Sequence, residues 1–193
     1  MSQTTRLLAF AGSSRKDSFN KILVKVAASG ARAAGADVTF LDLKDYPLPI
    51  FDEDLEKAQG LPENAKKLKK MFIESHGFLI ASPEYNSSIS GLLKNTIDWL
   101  SRPNEGEASL AAFQGKVAAL LSASPGALGG LRGLVHLRSI LGNIGVIVLP
   151  EQIAVSKAQE AFAGDGRLID SKRHGIVEEI GKKVFVTASK LLA

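Results

Sequence analysis

The run Gly12-Ser13-Ser14-Arg15-Lys16-Asp17-Ser18-Phe19-Asn20 follows directly on the apolar run Arg6–Ala11 and leads into a stretch with helical spacing. That placement suits an anion. The first N–H groups of a helix have no partner within it, and its amino end carries the positive end of the backbone dipole, so a phosphate placed there meets donors and favourable potential together. Ser13, Ser14, Ser18 and Asn20 add side-chain donors, and Arg15 adds a permanent charge. Neither G-x-G-x-x-G nor G-x-x-x-x-G-K-[ST] occurs. Hydroxyls in place of those glycines suit a terminal phosphomonoester, with three oxygens and nearly two charges, better than a pyrophosphate that needs bare backbone. Helix N-capping by Asp17 or Ser18 would account for one of these residues but not for five.

A second polar run, Ser82-Pro83-Glu84-Tyr85-Asn86-Ser87-Ser88-Ile89-Ser90-Gly91, follows the apolar run Gly77–Ala81. Pro83 fixes its own φ and offers no donor, so the remaining N–H groups of the loop are free to turn towards a ligand. Glu84 and Asn86 add acceptors and donors, and Tyr85 adds a flat face. An isoalloxazine ring needs that combination, and FMN joins such a ring to a terminal phosphate. A polar surface turn is the plainer reading of the same residues. A third loop, Ala123-Ser124-Pro125-Gly126-Ala127-Leu128-Gly129-Gly130, has glycines that permit close backbone approach and would form a third wall.

These loops need a frame. Short apolar runs alternate with longer amphipathic ones, which is the pattern of repeated strand–helix units and a mainly parallel sheet. The expected strands are Arg6–Ala11, Val38–Leu43, Gly77–Ala81, Lys116–Ser122 and Gly145–Leu149. Most are continuous apolar runs, so they are expected to be buried on both faces. The expected helices are Asn20–Ala34, Glu63–Ser75, Leu92–Ser101, Leu131–Leu141 and Ser171–Leu192. Three joints, Tyr46–Pro62, Ser82–Gly91 and Pro103–Gln114, are too long for plain connections and read as functional or mobile. In an open sheet of this kind ligands bind outside the carboxyl ends of the strands, where the strand order reverses. The loops after the first, third and fourth strands lie there.

The helix Leu92–Ser101 carries Leu92, Leu93, Thr96, Ile97, Trp99 and Leu100 over an arc of about 160°. That is broader than one core stripe. Either the whole arc is core, or the Trp99 edge packs on a second subunit. On the remaining face Asp98 and Arg102 have the favourable i, i+4 order for an ion pair.

Composition narrows the chemistry. The 193 residues contain no cysteine, which excludes disulfides, thiolate nucleophiles, cysteine-bound zinc and iron–sulfur clusters. Redox chemistry would therefore need an organic cofactor. The three histidines, His76, His136 and His174, lie in unrelated segments, so no metal site is expected. The net charge of +4 comes with only 6% aromatic residues and with lysines dispersed among acids, which argues against nucleic acid. The densest run, Lys66-Lys67-Leu68-Lys69-Lys70, reads as a solvated helix face. No apolar stretch is long enough to span a membrane, and the start lacks the order of a signal peptide. One domain over residues 1–193, soluble and cytoplasmic, is the expectation.

Together these segments resemble the NADPH-dependent FMN reductase family of flavodoxin-like proteins, whose members include quinone, azo-dye and chromate reductases. Gly12 to Asn20 is similar to the family's G-S-x-R-x-x-S-x-N. The second match is Pro83-Glu84-Tyr85-Asn86 followed by Gly91-Leu92-Leu93-Lys94-Asn95-Thr96-Ile97-Asp98-Trp99-Leu100-Ser101-Arg102. The resemblance implies an α/β doubly wound five-stranded parallel sheet in the order 2-1-3-4-5. It implies FMN with its phosphate held by Ser13, Arg15, Ser18 and Asn20, and with Phe19 also among the cofactor-binding residues. Pro83, Glu84, Tyr85 and Asn86 would line the ring, and Ser122, Ser124 and Gly126 would close it. NADPH or NADH would be the co-substrate, giving hydride to flavin N5, and a quinone or similar small acceptor would follow in a ping-pong cycle. No side chain is needed as acid or base; Lys94 and Arg102 are candidates to lie near the nicotinamide phosphate. A homodimer or homotetramer through the Leu92–Arg102 helix is also implied. A non-enzymatic flavodoxin-type electron carrier is the alternative, although such carriers tend to be acidic. A serine hydrolase lacks its G-x-S-x-G elbow, and a dinucleotide-binding domain using Asp42 lacks its glycine fingerprint.

Overall fold

In a computed structural model describing residues 4–104 and 106–192, five apolar runs pair in parallel. They are β1 (Arg6–Ala11), β2 (Asp37–Leu41), β3 (Gly77–Ala81), β6 (Val117–Ala123) and β7 (Ile147–Val155). Between β3 and β6 a small hairpin, β4 (Glu84–Tyr85) with β5 (Ser88–Ile89), stands apart. The helices are α1 (Phe19–Ala33), α2 (Glu53–Gln59), α3 (Glu63–Glu74), α4 (Gly91–Ser101), α5 (Leu131–Asn143), α6 (Ala158–Ala161) and α7 (Ser171–Leu191). The sheet order is β2-β1-β3-β6-β7, which is 2-1-3-4-5 when only the strands of the sheet are counted. This is the flavodoxin-like arrangement, and the order reverses between β1 and β3.

Because side chains alternate along a strand, β1 feeds two cores. Leu7, Ala9 and Ala11 pack under α1 and α7, while Leu8 and Phe10 pack under α3, α4 and α5. On the first face the two helices nearly touch. A Cβ on Gly181 would come within 1.8 Å of the Ala27 carbonyl oxygen, and one on Gly30 within 2.1 Å of that of Glu178. On the second face Phe10, Phe72, Phe78 and Phe113 form a ring cluster.

Several elements differ from the sequence expectation. β7 does not stop at Leu149 but continues to Val155. Ala118 pairs with Val148 and Leu120 with Gln152, so Pro150 falls in a bulge of an edge strand, where no ladder donor is required. The Tyr46–Pro62 joint holds α2, capped by Asp52, whose carboxylate accepts from the N–H groups of Asp54 and Leu55. This segment forms a strap over α4. Asn95 accepts from Phe51 N at 2.8 Å and donates to Pro49 O at 2.9 Å, and Trp99 Nε1 donates to the same oxygen at 2.8 Å. The Phe51 ring meets the Trp99 indole edge-on at 5.0 Å.

Trp99 is thereby fully buried within its own subunit, so the expectation that its edge packs on a second subunit is corrected. The apolar arc is broad because the helix is covered twice, by the sheet and by the strap. The expected Asp98–Arg102 pair does not form either. Asp98 pairs with Lys94 at 2.7 Å, and Arg102 turns to Glu56 of α2 at 2.9 Å.

Candidate functional site

The carboxyl ends of β1, β3 and β6 bring the three polar loops to one end of the sheet. The first loop is anchored at Gly12, whose N–H donates to Ala81 O at 2.9 Å and whose carbonyl accepts from Ser90 Oγ at 2.6 Å. Gly12 has little space, since a Cβ there would lie 2.9 Å from that of Leu93. Ser13, Ser18 and Asn20 are buried, whereas Ser14, Arg15, Lys16 and Asp17 face solvent. Ser18 is the N-cap residue of α1, yet its side chain makes no capping bond, and the first turn contains no acid. By contrast, α2, α4 and α7 are capped by Asp52, Ser90 and Asp170. The amino end of α1 thus carries no side-chain cap, with the Arg15 guanidinium beside it in sequence and exposed.

Asn20 is placed differently from its neighbours. Its Nδ2 donates to Ala123 O at 2.9 Å and its Oδ1 accepts from Ala123 N at 3.0 Å, both buried. It ties the first loop to the end of β6. Phe19 stacks on Phe162, with ring centres 6.0 Å apart and planes 7° from parallel. Next to Asn20, Lys21 makes a largely buried ion pair with Asp42 at 2.6 Å. Burial alone would raise the Asp42 carboxyl, but the Lys21 ammonium and the Lys44 N–H together hold it below its ordinary value. The sequence reading passed over Lys21; a lysine within the first apolar turn of a helix was the available signal.

The second loop is the β4–β5 hairpin. Asn86 and Ser87 both have positive φ, 50° and 66°, as a two-residue turn between right-twisted strands requires. Ser88 Oγ lies 2.9 Å from His136 Nδ1 on α5. Glu84 is engaged. Its carboxylate accepts from Arg132 N at 3.0 Å and Gly133 N at 3.2 Å, and it meets the Arg132 guanidinium at 2.7 Å. It therefore caps α5 from the hairpin, a role that its position in the loop did not reveal. Burial pushes the Glu84 carboxyl up, yet the Arg132 side chain and the Gly133 N–H outweigh it and hold the group below the usual range. Tyr85 remains 54% exposed, with its ring available.

At the end of β6, just before the third loop, Ser122 is fully buried and its Oγ has no hydrogen-bond partner. A Cβ on Gly130 would come within 1.8 Å of that oxygen, and Gly130 has φ of 93°, so glycine is required there on both counts. Ser124 N donates to Val155 O at 3.0 Å, and Ser124 Oγ accepts from Gly126 N at 3.3 Å.

Phosphate and flavin can be tested against these groups. An uncapped helix start beside hydroxyls and an arginine fits a phosphomonoester, and the exposed Tyr85 ring fits a flat ring. Among the described residues no cluster of histidines and acids could hold a metal ion, and no helix is long and apolar enough to cross a membrane.

The model of a family described as NADPH-dependent FMN reductase matches residues 5–160, a span that contains all three loops. An NAD(P)H-dependent FMN reductase of Pseudomonas aeruginosa is 35% identical over 180 residues, covering 93% of this chain and 92% of its own length. A quinone reductase of Escherichia coli (strain K12) is 33% identical over 150 residues, covering 77% of this chain and 76% of its own. Among solved structures, the flavoenzyme NAD(P)H:(acceptor) oxidoreductase of Paracoccus denitrificans has a TM-score of 0.81 at 31% identity, over 97% of this chain and 98% of its own.

Proposed function

The chain belongs to the NADPH-dependent FMN reductase family, and from that premise we propose that it carries FMN across the carboxyl ends of β1, β3 and β6 and reduces quinones or similar small acceptors with NAD(P)H. The observation that carries this reading is the convergence of the three loops, fastened by the Asn20–Ala123 pair. Bound FMN supplies the hydride-accepting and electron-donating chemistry. The protein binds and orients it. Arg15 and the first-turn N–H groups of α1 hold the phosphate, and the hydroxyls of Ser13 and Ser18 add donors. Pro83, Tyr85 and Asn86 wall the ring, while Ser122, Ser124 and Gly126 close the other side. Glu84 acts through Arg132 and the α5 backbone, positioning the hairpin rather than touching the ring.

The reductase reading is favoured over a flavodoxin-type carrier because the relatives that match most of the chain are named as reductases. A cytoplasmic setting, where NAD(P)H is supplied, is part of the proposal. Self-association moves from Trp99 to the exposed face of α5. Leu131 and Val135 of that helix are 42% and 59% exposed, Leu128 in the loop before it is 52% exposed, and an apolar stripe of this kind marks an interaction surface.

The test is to purify the protein, release and identify its flavin, and follow NADPH oxidation with benzoquinone as acceptor. FMN and parallel double-reciprocal lines are expected. A protein that is colourless and does not quench FMN fluorescence would overturn the reading, as would flavin binding without NAD(P)H oxidation.

A further inference from the structure

Between α6 and α7 the chain makes a tight turn that reaches the first loop from outside. Phe162 and Leu168 form an antiparallel bridge, and within it Ala163 N donates to Arg167 O at 2.8 Å and Gly166 N to Ala163 O at 2.9 Å. At one end of the turn the Phe162 ring stacks on Phe19, which is the first residue of α1 and stands between Ser18 and Asn20. At the other end Leu168 N donates to His174 Nδ1 at 3.2 Å. One imidazole is therefore linked, through Leu168, Phe162 and Phe19, to the loop assigned to phosphate.

A backbone N–H can only donate, so Nδ1 is the acceptor and the ring proton sits on Nε2. Nε2 lies 3.7 Å from Glu178 Oε1, one turn further along α7. A second proton, on Nδ1, would set two donors against each other and leave the Leu168 N–H without its acceptor. The charges around the ring are divided. Glu178 favours an imidazolium, and it also accepts from Ser29 Oγ of α1 at 3.3 Å. Lys25 of α1, which lines the same cavity, opposes it, and so does the positive end of α7, where His174 is the fourth residue. Asp165 and Arg167 of the turn pair with each other at 2.7 Å, and Asp170 and Arg173 at 3.5 Å. The cavity measures about 580 Å³ and is also lined by Ile22, Val26, Gly164 and Gly166, so a released turn has space to shift.

We propose that His174 is a positioning residue for the FMN phosphate loop: the neutral imidazole clasps the 162–168 turn, the turn braces Phe19, and protonation opens the clasp so that FMN is held less tightly in acid. This role rests on FMN occupying the three loops. His174 itself touches neither the flavin nor the acceptor.

Release of FMN from the loaded protein on dilution, followed by flavin fluorescence at about pH 8 and about pH 5, tests the clasp across the interval in which histidines change charge. His174→Asn keeps an acceptor, Oδ1, where Nδ1 stood but takes up no proton; His174→Leu keeps an apolar bulk and removes the acceptor. At the higher pH wild type and His174→Asn should hold FMN alike, and His174→Leu should hold it about three- to tenfold more weakly. At the lower pH wild type should weaken about three- to tenfold more than His174→Asn does. The FMN phosphate gains a proton in the same interval and weakens every form together, so the difference between these two proteins is the signal. Phe162→Leu, which removes the ring stack and leaves the clasp, should show no more pH response than His174→Asn. The same pH response in wild type and His174→Asn overturns the clasp and leaves the FMN reading standing, as does a folded His174→Leu that holds FMN as tightly as wild type at about pH 8. A full pH response in Phe162→Leu overturns the route through Phe19. A protein that takes up no FMN at either pH overturns both the clasp and the FMN reading.

Discussion

The side-chain amide of Asn20 and the backbone of Ala123 exchange two buried hydrogen bonds, at 2.9 and 3.0 Å, across 103 residues of sequence. They join the start of α1 to the end of β6 and so fix the distance between the first loop and the third. Asn20→Ala removes both bonds and leaves a buried backbone donor and acceptor unsatisfied. Its cost is expected to be about 2–4 kcal/mol in urea unfolding. FMN and riboflavin should weaken alike, since the residue sets loop spacing rather than touching phosphate. Selective loss of FMN in fluorescence titration would make Asn20 a phosphate ligand.

Much of this fold was legible because the signals were long. Runs such as Gly77–Ala81 and Leu7–Ala11 are apolar at every position, which only a doubly covered strand tolerates. The first loop stood out in the sequence because helix capping explains one of its polar residues and not five, whereas the second reads equally well as a polar surface turn. The rest depended on tertiary partners. Trp99 reads the same on a helical wheel whether a strap of its own chain or a second subunit covers it. Glu84 reads as a free carboxylate until α5 is seen to place two N–H groups against it. Pro150 ends a strand on local grounds, but a bulge accommodates it.

Trp99→Phe keeps the contact with Phe51 and loses the bond to Pro49 O. It should destabilise the fold by about 1 kcal/mol and leave the sedimentation coefficient unchanged. Val135→Glu, on the exposed stripe of α5, should leave stability near wild type and weaken self-association. Unchanged sedimentation of folded Val135→Glu would remove α5 from the interface.

Glu84 titrates below its ordinary value of 4.5 in the folded protein. A carboxylate lowered on folding adds stability that is fully present above the unfolded value and is lost as the pH falls through the folded one. Glu84→Gln should therefore be less stable than wild type at pH 7, by about 1–3 kcal/mol for the loss of charge-assisted bonds. The gap should close as the pH is lowered through the acid range below 4.5. A gap that stays constant at all pH values would contradict the linkage to Glu84, and coincident urea midpoints would show that the Arg132 pair contributes nothing.

Ser122 Oγ is buried and without a partner, so Ser122→Ala removes a desolvated hydroxyl and should leave the flavin-free protein equally or more stable. On the proposed placement of the ring beside this loop, flavin affinity should nonetheless fall severalfold. Gly130→Ala should be far more damaging, since its Cβ would overlap that hydroxyl and its φ is 93°. Unchanged flavin affinity in Ser122→Ala would place the ring elsewhere in the loop.

The central claim is that the Gly12–Asn20 loop at the start of α1 holds the phosphate of FMN, and Arg15→Ala tests it most directly when FMN and riboflavin are titrated into the same folded protein. A charge-assisted contact contributes roughly 1.5–3 kcal/mol, so FMN should weaken about ten- to a hundredfold. Riboflavin, with no phosphate, should hardly change, and raising the salt should erode the wild-type preference for FMN because Arg15 is exposed. Equal losses for both ligands, or no loss for either, would contradict the assignment.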